Sequence, residues 1–113
     1  MKRDDSFLLD IAKAAKRIIA VAEPHTLDSF LRNTDVREIT LWQFAVIGEA
    51  VRNMSEEFQH THPDIPWRRI VDMRNRLVHG YRDIDLEEVW RTTQEDVPQL
   101  LKQIEPLIPP EDA

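Results

Sequence analysis

Cysteine is absent from the 113 residues, which excludes disulfides and thiolate metal sites. Glycine occurs only twice, as Gly48 and Gly80, in a chain rich in Ala, Leu, Ile, Glu and Arg, so helix is favoured over sheet. No apolar run approaches the roughly 20 residues needed to cross a bilayer, and no membrane partner is expected. The opening MKRDDSF carries acids where a secretory signal needs a long apolar run, so a soluble, cytoplasmic protein is the expectation. The length suits one domain over residues 1–113, built on a single core. A net charge of −6 argues against a general nucleic-acid coat but leaves room for a small basic site.

What is present is helical periodicity. Phe7, Leu8, Ile11, Ala15, Ile18 and Ala22 recur at three- and four-residue steps behind Asp4 or Asp5 as a cap, and Pro24 ends that helix. A short helical turn around Thr26 to Leu31 follows. Asn33-Thr34-Asp35 then caps a second long helix marked by Val36, Ile39, Phe44, Ile47, Val51 and Met54. Leu41 and Trp42 widen its apolar face, as suits the middle of a bundle or a subunit interface. Gly48 inside it is a local cost that close helix packing would explain.

Residues 60–66 read as a loop, with Pro66 opening a third helix on Trp67, Ile70, Val71, Met73, Leu77 and Val78. Gly80 is placed to end it through a left-handed residue. Asp83 or Asp85 caps the last helix, which Pro98 should bend or split. The tail from Pro106 is proline-rich and expected to be ordered in part. The fold class is therefore all-α, an up-and-down bundle of four to five helices.

The chemistry concentrates between Trp67 and Trp90. Arg74-Asn75-Arg76-Leu77-Val78-His79-Gly80-Tyr81 sets a guanidinium, an imidazole and the chain's one phenol within eight residues. From Trp67 to Tyr81 four arginines stand against one aspartate, a local +3 that Arg82 raises to +4. Arginine holds phosphate through a planar, permanently charged fork, and histidine is the residue type best suited to exchanging protons near neutrality. Together they suit phosphoester chemistry. On a helix Arg74 and His79 lie about 140° and about 7.5 Å apart, so they do not share a face. Asn75 and Arg76, at four and three residues before His79, do. One copy makes a loose site, whereas two copies across a twofold axis would make a cleft with paired arginines and histidines. Taken singly, each residue reads more simply as a helix cap, a solvated arginine or a packed ring. The set together does not.

Met-Arg-Asn-Arg-Leu-Val-His-Gly-Tyr resembles the signature of HEPN-domain proteins, in particular the HepT-like toxins: an arginine, four residues, a histidine, one residue and a tyrosine. Gly48-Glu49-Ala50, Pro66-Trp67 and Val89-Trp90 agree with it, and the likeness runs from the first helix to Leu107. It implies a homodimeric HEPN bundle, the toxin of a type VII-like toxin–antitoxin pair, acting as a metal-independent endoribonuclease at a dimer cleft. Position by position, Arg74 and His79 become the catalytic residues, Asn75 and Arg76 supporting ones, and Tyr81 the modified one. The implied partners are RNA, a second copy, and a minimal nucleotidyltransferase antitoxin that silences the toxin by transferring AMP from ATP to Tyr81. No metal or other cofactor is implied, and ATP enters only as the AMP donor.

The residues fit that chemistry independently. Attack by the RNA 2′-hydroxyl needs a proton acceptor or donor, which His79 can be, and a group to stabilise charge on the phosphorane, which Arg74 can be. The alternative is a non-catalytic HEPN module that engages a nucleotidyltransferase and is modified by it. The other histidines read as ordinary: His60 and His62 as loop residues, His25 in a proline turn without a visible partner. Glu49 is either solvated or buried against an arginine such as Arg74. Arg74 itself is expected largely outside the core.

Overall fold

The computed structural model describes residues 3–110, apart from the side chain of Tyr81. Among the described residues seven α-helices follow one another: α1 (Arg3–Ala22), α2 (Leu27–Arg32), α3 (Thr34–Asn53), α4 (Glu56–Thr61), α5 (Trp67–His79), α6 (Leu86–Gln94) and α7 (Asp96–Ile104). Two 3₁₀ turns, Tyr81–Asp83 and Glu105–Leu107, follow α5 and α7. Four rods dominate: α1, α3, α5 and the broken α6–α7. They form a slab of 42 × 32 × 20 Å, two helices thick at about 10 Å each. No described helix is long and apolar enough to cross a membrane.

Local chemistry sets most boundaries. Thr26 and Ser29 form a reciprocal capping box on α2, and the Asn33 side chain accepts from Val36 N at 3.0 Å to open α3. Asp85, rather than Asp83, caps α6, accepting from the amides of Glu87 and Glu88. The last long helix is split rather than bent. Its break at Glu95 follows Gln94, the residue whose carbonyl a Pro98 ring would strike in a continuous helix.

Three expectations need correction. Neither Asp4 nor Asp5 caps α1, which already begins at Arg3; instead Asp4 accepts from Ser55 N at 2.9 Å and Ser55 Oγ at 2.7 Å. Ser55 in turn caps α4, so helix enters the stretch read as loop from His60, and the true connection is 62–66. Gly80 ends α5 with φ −146° and ψ 41°, a negative φ rather than a left-handed one, its amide donating to Arg76 O at 2.9 Å.

The core runs between α1, α3 and α7, where Leu8, Ile11, Ile18, Val51 and Ile104 are fully enclosed. Phe30 of α2 closes one end, packed on Trp90 with ring centroids 5.2 Å apart. Helix α5 is different. It packs principally on α3 and buries only Trp67 completely, so it stands as a rib with a groove on each flank.

Candidate active site

The rib is seated by one missing side chain. A Cβ on Gly48 would overlap the Cβ of Arg74 and come within 2.6 Å of its Cγ. Glycine at 48 therefore lets α5 approach α3 at the level of the motif arginine, the close packing that its sequence position suggested. The Arg74 side chain is consequently only 18% exposed. The residue still stands outside the core, as expected, at the wall of a groove, but with its stem partly buried.

The fork of Arg74 is engaged at both ends. Nη2 lies 3.1 Å from Glu49 Oε2, and Nη1 donates to Asn75 Oδ1 at 3.1 Å. The pairing of Glu49 with Arg74 is as anticipated, but the carboxylate is half exposed rather than buried. Its other oxygen accepts from Asn53 Nδ2 at 3.0 Å, and Arg52 Nη1 stands 3.9 Å from Oε2. With its carboxylate half exposed, the pair is screened by solvent and adds only modest stability to a guanidinium whose stem is already fixed.

His79 occupies the last turn of α5 and is exposed. Tyr81 opens the 3₁₀ turn beyond Gly80; the expected reach of its phenol toward solvent concerns a side chain outside the described residues. Asn75 and Arg76, expected beside His79, separate from Arg74. Both line a cleft of about 900 Å³ between α5 and α6–α7, across which Arg76 pairs with Glu88 at 3.7 Å. Arg74 lines the opposite groove, of about 350 Å³, with Glu49, Asn53, Asp10, Trp42 and Val78. Asn75 also reaches the Arg74 side, where its Oδ1 accepts from Arg74 Nη1.

The positive charge of the segment is thus partly met by acids that sequence proximity does not show: Glu49 at Arg74, Glu88 at Arg76, and Asp96 at Arg69, 3.4 Å away. Arg68 and Arg82 remain exposed. On the Arg74 side the apolar surface is open. Trp42 is 68% exposed and Val78 is 48% exposed, both at the same groove.

Residues 11–107, which include the whole of this arrangement, match the family described as ribonuclease HepT-like. The chain belongs to that family. Among relatives of the HepT-like chain, one named probable ribonuclease HepT, from Thermococcus cleftensis, is 34% identical over 95% of this chain and 98% of its own. MJ1380, a candidate RNase of Methanocaldococcus jannaschii, is 34% identical over 92% of this chain and 96% of its own. MJ0127 of the same organism, also a candidate RNase, is 35% identical over 91% and 85%. No solved structure gives a significant match.

Two of the remaining histidines of this HepT-like chain, His62 and His25, have local partners, while His60 is exposed in α4. His62 Nδ1 lies 3.1 Å from Phe58 O, its ring stacks on Phe58, and its carbonyl accepts from Trp67 Nε1 at 2.9 Å. His25 Nδ1 lies 3.0 Å from Ser29 Oγ. His62 thus braces the start of α5 against α4. Asp4 and Ser55, distant in sequence, were not foreseeable as a pair, because nothing in either local pattern marks a contact 51 residues away.

Proposed function

We propose that this protein is a metal-independent endoribonuclease whose cleavage site combines Arg74 and His79. The observation that carries this is the seating of Arg74: a guanidinium held at a groove wall by a glycine made for it, one and a half helical turns before an exposed imidazole, in a HepT-like chain. In the reaction the RNA 2′-hydroxyl attacks the adjacent phosphorus and the bond to the 5′-oxygen breaks, giving a 2′,3′-cyclic phosphate and a free 5′-hydroxyl. His79 exchanges the proton at the attacking or leaving oxygen, and Arg74 stabilises the charge on the phosphorane. Deoxyribose offers no nucleophile, so DNA is spared. Purified protein incubated with tRNA and mRNA in a chelating buffer is the test. Products ending in cyclic phosphate support the assignment; intact RNA rejects it.

The working unit in this proposal is a homodimer joined through the Trp42–Val78 face. A twofold there would cover both side chains and bring two copies of the Arg74 groove together. Trp42→Lys is then expected to shift the protein from dimer to monomer in light scattering at micromolar concentration. A parent protein that is already monomeric would dismiss the arrangement.

As a toxin, the protein would be paired with a nucleotidyltransferase that transfers AMP to Tyr81. An added nucleotide two residues from His79 would place phosphate and bulk at the cleavage site, blocking RNA and neutralising the arginines that attract it. Co-expression with such an enzyme should add one AMP mass to the parent and none to Tyr81→Phe. A Tyr81→Phe protein still modified and silenced would remove this tyrosine as the switch. One observation favours the rival, a non-catalytic module modified by the same partner: the Arg74 fork is already engaged by Glu49 and Asn75. RNA turnover separates the two.

A further inference from the structure

We propose that Glu49 is the positioning residue of the cleavage site, holding the Arg74 guanidinium in one orientation while tempering the charge it offers to RNA. This rests on the ribonuclease reading above and adds a residue to it. The carboxylate is itself held. Oε1 accepts from Asn53 Nδ2 at 3.0 Å, and Oε2 faces Arg74 Nη2 at 3.1 Å with Arg52 at 3.9 Å. Residues 49, 52 and 53 share one face of α3, so a single helix sets the geometry. Gly48, the preceding residue, fixes how deep the Arg74 stem lies. Stem and head are therefore set by adjacent residues.

Two consequences follow with opposite signs. Guanidinium carries five N–H donors, and the contacts to Glu49 and Asn75 leave others free to meet a phosphate in a fixed direction. Fixing the direction favours the transition state. A carboxylate at 3.1 Å also opposes the approach of a phosphate, which weakens ground-state binding. Glu49 thus gives up substrate affinity for turnover.

The test is Glu49→Gln, with Glu49→Ala beside it. Both should lower kcat about tenfold or more, since misplacing a catalytic group by an ångström has effects of up to about a hundredfold. KM should fall at the same time, and affinity for a non-cleavable 2′-O-methyl RNA should rise, with a steeper salt dependence by up to about one released counterion. A merely structural role would lower the active fraction, moving kcat and leaving KM where it was. Nitrogen NMR of the Arg74 side chain gives a readout that needs no activity: restricted guanidinium rotation in the parent, free rotation in Glu49→Gln. Unchanged rotation together with unchanged RNA affinity would overturn the role of Glu49 whether or not the parent cleaves. A parent that cleaves no RNA would instead overturn the ribonuclease reading.

Discussion

Alanine in place of His79 is expected to slow RNA cleavage by at least about a hundredfold, the scale of a lost general acid or base, while leaving the protein folded. The imidazole is exposed at the end of α5, and no hydrogen bond to it is found among the described residues. Gly80 N closes the helix on Arg76 O without its help. Removing it should therefore change stability by no more than about half a kilocalorie per mole, as for surface positions generally. Arg74→Ala should match it in activity and differ in stability. Its stem fills the space beside Gly48 and its head pairs with Glu49, so about 1–2 kcal/mol should be lost as well. Initial rates on a defined RNA, with chemical denaturation of the same preparations, measure both. A His79→Ala enzyme within threefold of the parent rate would end the assignment of that residue to the reaction.

The contrast shows what could be seen in the sequence. Four rods, the cap at Asn33, a cap at Asp83 or Asp85, and a bend or split at Pro98 were legible because each depends on residues within one turn of one another. The boundary between α3 and α4 was missed for the opposite reason: Ser55 has its cap role reinforced by Asp4, at the far end of the chain. Gly80 misled because a glycine after a helix suits a left-handed residue, yet the chain continues directly into the 3₁₀ turn Tyr81–Asp83 with a negative φ at Gly80. At the site, helical spacing could not assign Arg76. Only the placement of α6 shows that Glu88 draws Arg76 into the other cleft. Gly48 and Glu49 lay between these cases. A glycine inside an apolar helix announces a close neighbour, and an acid beside it suggests a basic one, but neither says how deep that neighbour sits.

That depth can be tested by moving the glycine. Gly48→Ala is expected to cost about 1–3 kcal/mol, as overpacking does, because the new methyl meets the Cβ and Cγ of Arg74 rather than the movable end of a side chain. It should also suppress RNA cleavage, since α5 must lift or the arginine must leave. In an Arg74→Gly background the same substitution meets no Cβ, and the nearest atom left at position 74 is the Cα, at 3.4 Å, an ordinary contact. The alanine at 48 should then be close to neutral, or even stabilising, because it restores helix propensity worth up to about 1 kcal/mol in α3. Denaturant unfolding of the parent, both single variants and the double variant gives the coupling between the two positions directly. Additive costs would mean that the helices do not touch through this pair, and the seating of Arg74 by Gly48 would have to be abandoned. A coupling of a kilocalorie per mole or more, on the order expected for residues in contact, would place the motif arginine and its glycine in one packing unit.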